Sequence, residues 1–235
     1  TVTPETSAGY GNLTLSGTGA KTIVSGTAVT VNSNLTTGNL LTIESSSLSS
    51  SGSLIVKGSS TGTLTYNRQL RTEAGYGDYQ YISSPVGSNT ATNATKITTV
   101  YGWDEVGGTW PTTSMTSLVS GVGYNLDQTA SSDGKIAFTG TVATSATIPA
   151  TSPYSDVITG AEANYNSRTF VGSGGHSGVA RSLTNYGGGG WNMLGNPFTS
   201  SMLVSSFIST NSSAFDPNYV AVYLYDPSIG TTGAY

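Results

Sequence analysis

The chain has 235 residues, 12 of them Asp or Glu against 8 Lys or Arg, so its formal net charge is −4 and only 9% of it is charged, where a typical domain carries roughly 25%. So few cations under a negative total cannot neutralise a phosphate backbone, which excludes nucleic acid as a partner. No apolar run approaches the roughly 18 residues of a membrane-spanning helix, so membrane insertion by a helix is not expected, and one His with no Cys excludes zinc-ribbon, haem-thiolate and thiol chemistry.

Ser (36), Thr (37) and Gly (31) fill the space left by charge. This is not the composition of disorder, which pairs high net charge with few aromatics; here there are 14 Tyr, 5 Phe and 3 Trp. Thr and Tyr favour strands, and dense Gly and Asn favour the tight turns between them. The expected fold class is all-β.

Residues 11–66 repeat short alternating triplets: Leu13-Thr14-Leu15, Val29-Thr30-Val31, Leu41-Thr42-Ile43, Leu54-Ile55-Val56 and Leu64-Thr65-Tyr66. The central spacings are 12 and 13 residues, from Val29 to Leu41 to Leu54. Each triplet can bury two side chains, and only stacking joins such pairs into a continuous core. Residues 1–66 are therefore expected to form a short β-solenoid-like repeat segment, with an ordinary meander as the alternative. The alternation Thr61-x-Thr63-x-Thr65 suggests a single Thr row, too narrow for a flat ice-binding face.

Beyond Tyr66 the composition changes: 12 of the 14 Tyr, all Trp and all Phe follow residue 70. Aromatics fill thicker cores, so residues 67–235 are expected to form an antiparallel β-sandwich, jelly-roll-like, incomplete at its C-terminus. Its strands read as Tyr79 to Ser83, Thr98 to Trp103, Gly123 to Asp127, Lys135 to Val142, Thr169 to Val171, Trp191 to Leu194 and Val220 to Tyr225. Ser200 to Ile208 is the best helical candidate, weakened by its serines.

No residue set points to catalysis, and the chain reads as not an enzyme. His176 sits in a Gly-rich loop beside Ser177, without the Gly-x-Ser-x-Gly elbow of a hydrolase. Carboxylates such as Asp104, Glu105, Asp127, Asp133, Asp156, Glu162, Asp216 and Asp226 mostly adjoin Gly or Pro in turns, where Asp serves local backbone bonding. No cofactor is implied; calcium is the one metal considered, with Asp104 and Glu105, or Asp127 and Asp133, as candidate ligands. Trp103 and Trp110 flank a turn and are the candidate ligand contacts.

An ordered set of motifs carries a resemblance: Tyr81-Ile82-Ser83-Ser84-Pro85-Val86, Tyr101-Gly102-Trp103-Asp104-Glu105 with Trp110, Gly121-Val122-Gly123-Tyr124, Phe138-Thr139-Gly140-Thr141-Val142, Gly190-Trp191-Asn192-Met193-Leu194-Gly195-Asn196-Pro197-Phe198 and Tyr223-Leu224-Tyr225-Asp226-Pro227. Together they resemble secreted and cell-surface β-rich proteins of Bacteroidota, of the kind exported by the type IX secretion system. The resemblance covers roughly 68–235. Thr199 stands where those proteins often have a second proline. Trp191, Asn192, Gly195, Asn196 and Pro197 form its structural motif, in which Pro197 ends a strand and holds Asn196 extended. What the resemblance implies is an extracellular, non-enzymatic structural or adhesive segment at the bacterial cell surface, with self-association into a surface filament or surface glycans as partners. The alternative is a carbohydrate-binding module of a secreted glycan-degrading enzyme.

Overall fold

The structure, a computed structural model, describes residues 1–2, 9–70, 79–92, 97–104, 109–114, 118–128, 134–146, 192–215 and 220–224. The protein is all-β, with one short helix and one 3-10 turn among these residues. The expected strand at 169–171 and His176 lie outside them.

The first stretch contains β1 (Leu13–Thr14), β2 (Lys21–Ile23), β3 (Ala28–Val31), β4 (Leu35–Thr36), β5 (Leu41–Ile43), β6 (Ser45–Ser47), β7 (Ser50–Ser51), β8 (Ser53–Val56), β9 (Ser60–Thr61) and β10 (Thr63–Gln69). The chain visits three parallel ladders in turn. A first sheet holds β1, β4 and β9, a second contains β2, β5 and β10, and a third holds β3 and β8. Leu13 pairs with Leu35 and Leu35 with Ser60, offsets of 22 and 25 residues; Val29 pairs with Leu54, again 25. One circuit therefore spans two of the sequence triplets, because successive triplets fall on different sheets. The Thr alternation is divided likewise: Thr61 lies on β9, Thr63 and Thr65 on β10.

Within each triplet the first and third side chains point inward. Val29, Val31, Leu41, Ile43, Leu54, Val56 and Leu64 are buried. The middle threonines face out, and the register lines up Thr22, Thr42, Thr65 and Thr139 across four strands; Thr65 and Thr139 share a hydroxyl hydrogen bond of 3.0 Å. The corners repeat too. Asn12 Oδ1 accepts from the Asn34 amide at 3.1 Å, and one circuit on, Asn34 Oδ1 accepts from the Ser59 amide and hydroxyl at 3.3 and 2.8 Å. At another corner Gly38 and Asn39 both take positive φ, 57° and 59°, the left-handed backbone that Gly and Asn adopt most readily.

The second sheet continues past residue 66. After β11 (Tyr79–Ile82), β12 (Gly87–Thr92), β13 (Ile97–Gly102), β14 (Thr112–Thr113), β15 (Tyr124–Gln128) and β16 (Lys135–Thr141), its order is β12-β16-β10-β5-β2. Strand β10 itself spans the expected boundary at 66/67, pairing parallel with β5 on one side and antiparallel with β16 on the other. A fourth, antiparallel sheet runs β11-β15-β13-β14. Phe138 and Ile136 of β16, Leu126 of β15 and Val100 of β13 join the apolar residues of the parallel ladders in one buried cluster. Burying such a side chain stabilises by roughly 1.5–3 kcal/mol.

Helix α1 (Val204–Thr210) lies a few residues later than the sequence suggested and buries none of its side chains. Its C-terminus is tied by Asn211 Nδ2, which donates to the Phe207 carbonyl at 2.8 Å. Two expected strands differ in the structure. Of 191–194, Trp191 lies outside the described residues and only Leu194 forms a bridge, to Val122. Residues 220–224 join no ladder among the described residues, and Val220, Val222 and Leu224 are exposed. Alternation there reports a chain able to form a strand; it carries no information about a partner.

Candidate functional site

The β13–β14 hairpin extends beyond its strands. Asp104 and Thr109 exchange both backbone hydrogen bonds, at 3.0 and 3.1 Å, and Gly102 N donates to the Pro111 carbonyl at 3.0 Å. Trp103 and Trp110 therefore face each other in the pair between these bonded ones, where side chains approach most closely. Their ring centroids are 5.0 Å apart with the planes tilted by 50°. Tyr81 reaches the same cluster from the far edge strand, β11: its ring lies 6.1 Å from Trp110 at 27°. The register carries it there, since Tyr81 pairs with Asn125, Asn125 with Tyr101 and Tyr101 with Thr112. Asn125 lies in the same row, and its Oδ1 is buried without a hydrogen-bond partner among the described residues. Trp110 remains 37% exposed. Trp103 is half-buried, and Asp104, Thr109, Pro111 and Thr112 are exposed around the pair.

The other motif residues assemble into a joint. Gly123 N donates to the Met193 carbonyl at 2.8 Å and Gly195 N to the Gly121 carbonyl at 2.9 Å, on either side of the Val122–Leu194 bridge. A Cβ at Gly195 would overlap the side chain of Ser83. Asn196 Oδ1 accepts from Phe198 N at 3.0 Å while its Nδ2 donates to the Ser200 carbonyl at 2.6 Å, closing the turn that Pro197, itself buried, begins. Ser120 Oγ donates to the Ser84 carbonyl at 3.2 Å. Three motifs far apart in the chain, 81–86, 121–124 and 192–199, thus meet at one place. Asn192, in the same motif, is half-buried. Thr199 then hydrogen-bonds to Leu54 of β8.

Of the candidate calcium ligands, Asp104 is exposed and Asp127 half-buried, while Glu105 and Asp133 lie outside the described residues. No group of three or more His, Asp or Glu side chains gathers among the described residues. A carboxylate the sequence did not single out is engaged by both oxygens: Glu44 Oε2 lies 3.2 Å from Lys135 Nζ, and its Oε1 accepts from Asn67 Nδ2 at 2.8 Å. The third ring of the aromatic cluster, Tyr81, was equally hidden, because only the register of four strands brings it to Trp110.

The described residues define an all-β protein whose candidate site is an aromatic cluster on a hairpin. The chain belongs to the family described as Domain of unknown function (DUF8693), whose model matches residues 1–232. Comparison with curated proteins and with solved structures finds no match.

Proposed function

We propose that this chain is a non-enzymatic extracellular segment of a bacterial cell-surface protein, structural or adhesive, and a building block of a surface filament. In this reading the three parallel ladders are a short β-solenoid and the antiparallel strands a jelly-roll-like sandwich docked on its end. The observation that carries it is the hydrogen-bonded continuity between the two parts. Strand β10 belongs to both, and Thr199 adds a further link to β8 on another sheet. A rod under tension needs such cross-links, because shear then strains several ladders at once and no free linker yields first. The resemblance to Bacteroidota proteins of the type IX secretion kind supports the extracellular placement.

Immunogold electron microscopy of native cells with antibody against this chain tests the reading. Label on surface appendages or the outer face is expected; label confined to the cell interior overturns it.

A further inference from the structure

We infer that Trp110, backed by Trp103 and Tyr81, is a stacking platform for a neutral pyranose unit of a glycan, with Thr112 beside it on the same face of the hairpin. This goes beyond the structural reading and does not depend on it.

The hairpin alone accounts for part of the arrangement. A cross-strand Trp pair staples its two arms, and a staple needs apolar mass between them. It does not need a third ring from the opposite edge of the sheet, nor a Trp left 37% exposed. Both centroid separations, 5.0 and 6.1 Å, lie in the range of aromatic rings in mutual contact, roughly 4.5–7 Å. Trp110 is thereby held from two directions while part of its surface faces water. A ring so fixed loses little freedom when a ligand settles on it, which is the advantage of a preorganised site.

Geometry and charge select the ligand. Rings already touching each other leave no slot between them for a caged ammonium group, so the ligand must lie on the outside of Trp110. It must then present a flat apolar face. A nucleobase has one, but the phosphates of a nucleic acid meet no cation within 101–104 or 109–114, and Asp104 repels them. A pyranose presents a face of C–H groups with hydroxyls around its edge. The face suits an indole, and the edge hydroxyls can exchange hydrogen bonds with the Thr112 hydroxyl, two residues along from Trp110 and so on the same face. Thr112 is exposed and pairs with Tyr101 in the next row on the face of the tryptophans, whereas Asp104 and Thr109 alternate to the other face of the hairpin.

The test uses the intact 235-residue chain. Native affinity electrophoresis against mixed-linkage β-glucan, xylan, galactomannan and the neutral soluble derivative glycol chitin is read together with tryptophan fluorescence titrations of the matching oligosaccharides. At least one of these probes is expected to retard the wild type and shift its emission. Trp110→Leu keeps apolar mass in the hairpin and removes the planar face, so it should weaken binding by about tenfold or more, equivalent to about 1.4 kcal/mol. Trp110→Tyr should recover most of that loss. Thr112→Val, which leaves the rings in place and keeps a β-branched side chain on the strand, should weaken binding by a smaller factor at an unchanged melting temperature. The inference is overturned if no probe binds, if a folded Trp110→Leu binds like the wild type, or if Tyr and Leu at this position behave alike. If Trp110→Leu fails to fold, the Tyr and Val variants decide: wild-type binding by Thr112→Val together with loss in Trp110→Tyr overturns it. None of these outcomes bears on the microscopy, so failure here leaves the cell-surface reading to its own test.

Discussion

Thr199 engages both backbone polar groups of Leu54, 145 residues earlier in the chain. Its carbonyl accepts from Leu54 N at 3.1 Å and its hydroxyl donates to Leu54 O at 2.7 Å. Leu54 lies on β8, whose other side pairs with β3. Thr199 thus occupies the place that a further strand would take, and satisfies part of an edge otherwise open to another chain. The residue is 2% exposed, so water has little access to replace the hydroxyl.

Thr199→Val keeps the shape and deletes the hydroxyl, leaving the Leu54 carbonyl short of a donor. The expected cost is about 1–3 kcal/mol, or a fall in melting temperature of roughly 2–4 °C per kcal/mol for a chain of this size. Differential scanning calorimetry measures it. An unchanged midpoint would show that the link contributes nothing.

Gly195 meets Ser83 at the centre of the motif joint. Gly195→Ala places a methyl group where the Ser83 side chain already stands, and overpacking of this kind costs typically about 1–3 kcal/mol. Ser83→Gly should restore most of the stability of Gly195→Ala. Ser83→Ala alone should be neutral or mildly stabilising, since Ser83 Oγ is buried without a hydrogen-bond partner among the described residues. The double-mutant cycle is decisive: additive effects would place the strain elsewhere.

Much of this was legible in the triplets. Alternation identified the inward pair of each, such as Leu41 and Ile43 or Val29 and Val31, because period two is a local property. The circuit length was not legible. Val29, Leu41 and Leu54 look like one repeat at intervals of 12 and 13 residues, yet Val29 pairs with Leu54 while Leu41 pairs with Leu64; which sheet a triplet joins is decided by long-range pairing. Strand β12 escaped notice because Gly87-Ser88-Asn89 has no apolar alternation and its pairing with β16 is irregular between Gly87 and Thr90. At the candidate site, Trp103 and Trp110 were visible as neighbours of a turn. Tyr81 was not, because its place beside Trp110 depends on the register of strands that no local pattern specifies.

The corner asparagines offer a local test of the winding. Asn34→Ala removes the acceptor that holds the Ser59 amide, so exchange of that amide with deuterium should accelerate markedly. The Thr63 amide is held by Asn39 Oδ1 at 2.8 Å and should keep its protection. Asn34 Oδ1 also accepts from the Ser59 hydroxyl; two neutral hydrogen bonds at about 0.5–1.5 kcal/mol each are lost, and the variant is expected to remain folded. Equal acceleration at both amides would mean that the circuits open together and that the corner bonds are not separate supports.

Glu44 separates charge from hydrogen bonding. Its partner Lys135 has a side chain 44% exposed and its own is 32% exposed, so solvent and salt screen the pair, and such pairs are worth no more than about 1 kcal/mol. Glu44→Gln abolishes the ion pair, but the new amide carbonyl can still accept from Asn67 Nδ2, which the carboxylate now does at 2.8 Å. Glu44→Ala removes both contacts and leaves the half-buried Asn67 donor unmatched. Stability should therefore fall in the order wild type, Gln, Ala, with the larger step between Gln and Ala. The difference between wild type and Gln should shrink as salt rises, and the difference between Gln and Ala should not. Chemical denaturation with urea at low and high sodium chloride measures both steps. A dominant, salt-resistant step from wild type to Gln would show that the charge itself, and not the bond to Asn67, is what ties the end of β5 to β10 and β16.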